Sequence, residues 1–241
     1  MVNDKYLVII PTYNELETIA RIVPDVLACD ERIDVLVVDD NSPDGTGEIA
    51  ERMAGENSRV HVLRREQKDG IGTAYVSGFL WGIERGYRLL FEMDADYSHD
   101  PGHLPAFIDK AASFDVVIGS RYLGGKVTAI NWSMSRLILS YFGNWYARKI
   151  TRLPLSDATG GFNCWRREVL SALDLSLIQS NGYTFQIELK MRAWRRGFTL
   201  TEIPILFRER ASGESKMSNQ IVCEAIWKVW MLRVIDLFGH L

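Results

Sequence analysis

Along the first half of the chain, short continuous apolar runs alternate with stretches whose apolar residues return at a helical period. Residues 6–10 are uniformly apolar and stop at Pro11. Residues 15–28 carry an amphipathic helical pattern. A second strand, 34–39, ends in Asp39-Asp40, and the turn residues Pro43-Asp44-Gly45 lead into a helix that reaches about Ala54. Strands are predicted again at 59–64, 87–93 and 114–120, with helices at 70–85 and 101–112 between them. Apolar runs bounded by turn residues and separated by helices are the pattern of a parallel sheet buried on both faces. Right-handed crossovers then give a Rossmann-like α/β arrangement.

In such sheets ligands bind beyond the carboxyl ends of the strands. That rule selects four polar or acidic loops, at 11–15, 39–44, 94–100 and 120–126. After residue 125 the pattern changes. Residues 132–149 read as a long helix rich in Trp, Tyr, Phe and Leu, 160–165 as a strand, 183–196 as a helix, and 218–238 as a final helix. Residues 199–207 read as a strand that Pro204 demotes to an edge or a bulge. No repeat or low-complexity linker divides the chain, so one domain with a specialised C-terminal third is expected, with a main body over 1–217 and a terminal amphipathic helix over 218–241 that packs on the domain or on a membrane surface.

Composition narrows the class. The chain has 241 residues, 47% of them hydrophobic and 24% charged, which is ordinary for a globular protein. A net charge of −3 gives no electrostatic case for binding nucleic acid. The three cysteines are dispersed, with no CxxC pair, and fit buried apolar roles in a reducing compartment. The N-terminus carries no signal-peptide pattern. Neither 137–147 nor 217–241 supplies the roughly 18 uninterrupted apolar residues of a membrane span, though both segments suit a membrane surface.

Asp94 and Asp96 come directly after the fourth predicted strand. Two carboxylates at one strand end can turn into one crevice and hold a hard divalent cation together with substrate phosphates; the plainer role is a solvated turn that caps the next helix. Asp40, at the second strand end, is placed to accept from a ribose or base, while Asp44 or Ser42 would cap the helix after it. The first strand end, Pro11-Thr12-Tyr13-Asn14-Glu15, has no GxGxxG, which argues against a dinucleotide cofactor. Gly70-Ile71-Gly72 reads as a tight turn opening a helix. Arg121, Arg136, Arg208, Arg210 and Lys216 are basic residues suited to phosphate, or else to a solvated surface. The four histidines lack zinc spacing, and no GxSxG elbow supports a hydrolase triad.

The ordered motifs VIIPTYNE (8–15), VVDDNSPDGT (37–46), GIGTAY (70–75), MDADYSHDP (93–101), GSRY (119–122), DATGGF (157–162), GYTFQIE (182–188) and RERASGESKM (208–217) give the chain a clear resemblance. It resembles the family 2 glycosyltransferases of the GT-A fold, and among them the dolichyl/polyprenyl-phosphate mannose synthases, over about residues 6–217. The resemblance implies that Pro11, Tyr13, Glu15, Val38 and Asp40 cradle the nucleotide. Asp94, Ala95 and Asp96 would line the diphosphate, with Asp96 a direct ligand of Mg²⁺ or Mn²⁺. Arg121 and Arg136 would hold the acceptor phosphate, and Arg210 and Lys216 would reach the donor from a closing loop. Relatives often carry Gln two residues after the second Asp; this chain has Ser98, a shorter second ligand.

The resemblance thus implies an inverting, metal-dependent transfer of mannose from GDP-mannose to a polyprenyl or dolichyl phosphate, with Asp94, Asp96, Arg121 and Arg136 catalytic. A phosphate monoester, with its second pKa at roughly 6, is already anionic and needs no general base. The alternatives are another sugar donor, such as UDP-glucose, on the same fold, and a non-catalytic nucleotide- or lipid-binding subunit. Trp132, Tyr141, Phe142, Trp145 and Tyr146, with Arg136, Arg148 and Lys149, suit an interfacial helix. On the terminal helix Gln220, Glu224 and Lys228 form a polar stripe beside Trp227, Trp230, Leu232, Ile235 and Phe238. The expected location is peripheral, on the cytoplasmic face of a membrane, with a membrane-protein partner or self-association as further expectations.

Overall fold

The computed structural model describes residues 3–130, 132–178, 180, 182–208 and 219–238. Strands β1 (Asn3–Thr12), β2 (Ile33–Asp39), β3 (Val60–Arg64), β4 (Tyr87–Glu92), β5 (Val116–Ser120), β7 (Asn163–Arg166) and β8 (Leu200–Pro204) form one sheet in the order β3-β2-β1-β4-β7-β5-β8. The β1, β2, β3 and β4 pairings are parallel, as is β5 with β8, while β7 runs antiparallel between β4 and β5. A two-stranded parallel ribbon, β6 (Ala129–Ile130) with β9 (Phe207–Arg208), sits apart from it. The expected mostly parallel α/β sheet is therefore present, with one strand inserted against the grain. Pro204 closes β8 at the sheet edge, where a missing N–H costs nothing.

Strand alternation divides the core. Val8, Ile10, Val35, Val37 and Phe91 face helices α1 (Leu16–Leu27), α2 (Thr46–Glu56) and α4 (Leu104–Ala111), which contribute Ile19, Ile22, Ala50, Leu104 and Phe107. Leu7, Ile9, Leu36, Leu90 and Ile118 face the opposite layer. That layer holds α3 (Ile71–Glu84), α6 (Arg167–Ala172) and α7 (Gly182–Arg195), with α5 (Met134–Thr151) and α8 (Asn219–Leu237) beyond them. The hydrophobic pattern does not predict the short α6. The aromatic helix begins two residues later than expected, because Ser133 caps it by accepting the Arg136 N–H at 3.4 Å.

α8 packs one side onto the body. Val229 and Leu232 are buried against α5 and α7, the Tyr146 hydroxyl donates to the Ile226 carbonyl at 3.2 Å, and Arg195 of α7 holds Asp236 at 2.5 Å. Its other side leaves Trp227, Trp230, Leu237 and Phe238 in the open.

Candidate active site

Three loops at strand carboxyl ends meet in one cleft of about 540 Å³, lined by Pro11, Tyr13, Glu15, Asp40, Asp94, Ala95 and Asp96 among others. Each loop contains a non-glycine residue in the left-handed region: Asn14 (φ 60), Asn41 (φ 56) and Tyr97 (φ 60). Such conformations cost about 1–3 kcal/mol and persist where the surroundings over-determine them. Here hydrogen bonds do so. Asp39 is fully buried; its carboxylate accepts from Thr12 Oγ1 at 3.0 Å and Ser42 Oγ at 2.6 Å, and Ser42 Oγ in turn accepts the Asn14 N–H at 3.1 Å. Asp44 accepts from Thr46 N–H at 3.0 Å and from Leu16 N–H at 3.2 Å, so one carboxylate ties the starts of α2 and α1 together. Of the adjacent aspartates, Asp39 builds the loops and Asp40 faces the cleft.

Asp40 lies 2.9 Å from Arg65 Nη1, without the alignment of a hydrogen bond, so the contact is Coulombic. Burial raises its pKa, and the Arg65 charge opposes that rise. Asp94 accepts from the Tyr75 hydroxyl at 3.2 Å, and burial together with the Asp94 charge pushes that phenol well up. The Asp94 N–H donates to His99 Nδ1 at 3.0 Å, which assigns the proton of a neutral ring to Nε2. Asp96 is 6% exposed and accepts the Ser98 N–H at 3.0 Å, a turn made by Tyr97, whose hydroxyl is anchored on Asp25 at 2.6 Å. The Ser98 Oγ is buried with no hydrogen-bond partner. A carboxylate and an orphaned hydroxyl at one turn are oxygen donors of the kind Mg²⁺ and Mn²⁺ accept. Among the described residues no cluster of three or more Asp, Glu, His or Cys forms, so a cation here would complete its shell with water or substrate oxygens.

Val38 does not line the cleft. It is fully buried and, by strand alternation, its side chain enters the core shared with Leu7 and Ile9. The cleft gains residues that the sequence motifs do not single out as ligand contacts: Lys68, Gly70 and Ile71. Gly70 opens α3 as expected, and its backbone (φ 97, ψ 160) lies in a region essentially closed to other residues. Lys68 Nζ stands 3.8 Å above the Tyr13 ring. His99 has no zinc-like spacing to mark it; its position just after the acidic motif is the signal that the sequence does carry.

Arg121 is 4% exposed and forms a two-pronged pair with Asp157, Nε to Oδ2 at 2.7 Å and Nη2 to Oδ1 at 2.9 Å; Nη2 also donates to Thr159 Oγ1 at 2.8 Å. Burial favours a neutral arginine, but the Asp157 charge and hydrogen bonds reverse that and raise its pKa. Burial alone would raise Asp157; Arg121, with Lys190 adding to it, brings it down to about 2. The Arg121 guanidinium also lies 5.5 Å from the Phe207 ring and 5.9 Å from Trp132, and the Arg136 guanidinium lies 4.5 Å from the same Trp132 ring. Trp132 and Arg136 line a second, mainly apolar cavity of about 700 Å³, together with Tyr146, Thr159, Tyr183 and Ile226 among others. Arg121 and Arg136 thus both lie against Trp132, one of the residues lining that cavity. Phe207 bridges back to His99 (ring centroids 5.4 Å), and the Arg208 N–H donates to the Ser98 carbonyl at 3.3 Å. Arg210 and Lys216 lie outside the described residues.

A buried polar cluster surrounds Glu92. Glu92, at the end of β4, accepts from Trp165 Nε1 at 2.6 Å, Asn163 Nδ2 at 3.3 Å and Gln186 Nε2. Burial raises Glu92 and lowers Lys190, which is fully buried one turn after Gln186.

Comparison with known proteins bears on this arrangement. The model of the family described as "Glycosyl transferase family 2" matches residues 7–174. An undecaprenyl-phosphate mannosyltransferase of Micrococcus luteus is 48% identical over 226 residues, covering 93% of this chain and 92% of that protein. A polyprenol monophosphomannose synthase of Mycolicibacterium smegmatis is 48% identical over 231 residues, covering 94% and 87%. Among solved structures, glucosyl-3-phosphoglycerate synthase of Mycobacterium tuberculosis, in complex with Mn²⁺, UDP-glucose and phosphoglyceric acid, superposes with a TM-score of 0.70 at 18% identity, covering 96% of this chain and 80% of that one. At that identity the likeness concerns the fold, which is of the expected GT-A type.

Proposed function

The chain belongs to glycosyl transferase family 2, and from that premise we propose that it transfers mannose from GDP-mannose to a polyprenyl phosphate, giving polyprenyl-phosphate mannose. The observation that carries this reading is the line of contacts joining two unlike cavities: Asp94 to His99, His99 to Phe207, Phe207 to Arg121, and Arg121 through Trp132 to Arg136. An acidic cleft lies at one end and an apolar cavity at the other. A water-soluble donor and a lipid acceptor require that pairing. The two 48% identical relatives, named for mannose and for polyprenyl phosphates, supply the substrate class.

In this reading Pro11, Tyr13, Glu15 and Asp40 hold the nucleoside, and Asp94, Ala95 and Asp96 line the diphosphate. Asp96 and Ser98 would hold a divalent cation, whose charge, when bound, offsets that of the departing diphosphate. Arg121 and Arg136 present the acceptor phosphate. That phosphate is already anionic near neutral pH, with a second pKa of roughly 6, so no side chain has to remove a proton. What the protein contributes is alignment of two anions that repel each other. Direct attack by the acceptor oxygen inverts the sugar carbon.

The acceptor's isoprenoid tail sets the protein at a bilayer surface. No helix among the described residues is long and apolar enough to cross a membrane. α5 and α8 expose Met134, Tyr141, Phe142 and Trp145, and Trp227, Trp230 and Phe238, and aromatic side chains of this kind favour the bilayer interface. We place that surface on the cytoplasmic face of the membrane.

A donor panel tests the proposal. Purified protein is offered GDP-mannose, UDP-glucose and other nucleotide sugars with polyprenyl phosphate and Mg²⁺ or Mn²⁺, and the lipid product is analysed for sugar and anomeric configuration. The expected product carries mannose with inverted configuration. Faster turnover of UDP-glucose would change the donor, retention of configuration would remove direct displacement, and no transfer from any donor would leave a non-catalytic binding subunit.

A further inference from the structure

Segment 157–163 lines the apolar cavity through Thr159 and is linked through Phe162 and His99 to Asp94 of the acidic cleft. At one end Asp157 and Thr159 hold Arg121. At the other, the Phe162 ring stacks on His99 at 4.9 Å, and His99 accepts from the Asp94 backbone. The segment contains two glycines and no regular structure until β7 begins at Asn163. Its backbone polar groups are nonetheless gripped from several directions. Glu202 of β8 accepts the Ser156 and Asp157 N–H groups at 2.6 and 2.8 Å. Asn144 of α5 donates to the Ser156 carbonyl at 2.7 Å and accepts the Ala158 N–H at 2.9 Å. Lys190 of α7 donates to the Ala158 carbonyl at 3.2 Å and to the Gly160 carbonyl at 2.6 Å.

Lys190 is the unusual member of that set. A fully buried ammonium is costly unless it is paired and hydrogen-bonded. Here burial and the Arg121 charge oppose the ammonium, while the Asp157, Glu92 and Glu202 charges favour it. Gln186, one turn earlier on the same face of α7, joins Asn163 Nδ2 at 2.8 Å to Glu92. Gly160 has no room for a side chain: a Cβ there would lie 2.9 Å from the Gly119 carbonyl. Neither a solvated lysine nor simple apolar filling explains a buried ammonium aimed at two loop carbonyls.

We infer that Lys190 is a positioning residue for the transfer, fixing segment 157–161 so that the Arg121–Asp157–Thr159 group stands at a set distance from Asp94 and Asp96. The inference rests on the reading of Arg121 as the acceptor-phosphate residue. Its physical basis is that transfer between two anions tolerates little error in their separation; a displacement of about 1 Å can cost about 100-fold in rate.

The test uses the full-length protein, with Lys190→Met to remove the ammonium while keeping the stem, and Lys190→Gln to keep one donor on a shorter stem. Folding is checked by circular dichroism and thermal melting, GDP affinity by calorimetry, and transfer from GDP-mannose as a function of polyprenyl phosphate concentration. Folded Lys190→Met is expected to bind GDP within about 2-fold of wild type and to lose about 100-fold in kcat/KM for the acceptor; Lys190→Gln should recover part of the loss. Unchanged acceptor kinetics in a folded variant overturns the inference, as does an equal loss of GDP binding and acceptor kinetics. Failure of both variants to fold assigns Lys190 to folding alone and overturns it too. A wild-type protein that transfers no sugar to polyprenyl phosphate removes the underlying reading, an outcome visible before any variant is compared.

Discussion

The proposed donor side and the proposed acceptor side of this molecule handle apolar residues in opposite ways. Around β1, β2 and β4 the arrangement is that of a water-soluble protein: the strands are buried and polar loops face outward at their carboxyl ends. α5 reverses this. It buries Asn144, Ala147 and Thr151 and exposes Met134, Tyr141, Phe142 and Trp145. α8 has apolar residues on both sides, Val229 and Leu232 inward and Trp227, Trp230 and Phe238 outward. A helix that keeps large apolar side chains on its outer side as well as its inner one presents a surface for a second apolar partner. In the proposed function a soluble ligand occupies the first face and a lipid the second, with Arg121 and Arg136 on the seam.

Asp96→Ala should separate the two sides most sharply. It removes an oxygen donor from the donor cleft, and turnover is expected to fall about 10³-fold, with liposome binding unchanged. Loss of liposome binding in the same variant would mean that the sides are not independent.

Asp157→Asn acts at the seam. It leaves the buried Arg121 without its counter-charge, and the expected destabilisation is about 3–5 kcal/mol by denaturant titration. The wild type carries the matching acid dependence. Asp157 titrates at about 2 in the folded protein, below the ~3.9 of an unfolded chain. As pH falls, the unfolded state takes up the proton first. The contribution of this group, about 2–3 kcal/mol, is complete above about pH 4 and lost as pH drops toward 2. The variant should lack that component of acid sensitivity, and an unchanged profile would contradict the pairing.

Gly70→Ala sharpens the donor side. Its backbone geometry is strained for any residue with a Cβ, at a cost of about 1–3 kcal/mol. A lower melting temperature and weaker GDP binding are expected, with the KM for acceptor little changed. The smallest effect on stability comes from the outer face of α8. Trp227→Glu with Trp230→Glu should change folding stability by no more than about 0.5 kcal/mol each, yet lower the liposome-bound fraction by about 10-fold or more. Retained binding would move the lipid contact elsewhere.

The same contrast governs what is legible in the sequence. On the donor side the path is short: apolar runs imply parallel strands, and parallel strands put ligands at their carboxyl ends, so Asp40, Asp94 and Asp96 stand out. Residues whose roles depend on distant partners do not. Arg121 is visible as a basic residue, but Asp157 lies 36 positions away. Gln186 and Lys190 look like the polar face of an exposed helix, because nothing local reveals that Glu92 and the Gly160 carbonyl lie beneath them. The antiparallel insertion of β7 is likewise a property of pairing rather than of its own four residues. Gly70 is legible as a turn, and its second role in lining the cleft comes only with the fold.

The central claim is that sugar leaves the acidic cleft and arrives on a phosphate held at the mouth of the apolar groove. It is tested most directly by incubating the purified protein with GDP-mannose, Mg²⁺ or Mn²⁺ and polyprenyl phosphate in liposomes, with and without a chelator, then measuring mannose in the organic and aqueous phases by mass spectrometry. The account predicts polyprenyl-phosphate mannose in the organic phase, abolished by the chelator. Free mannose in the aqueous phase, or no consumption of GDP-mannose, would contradict it.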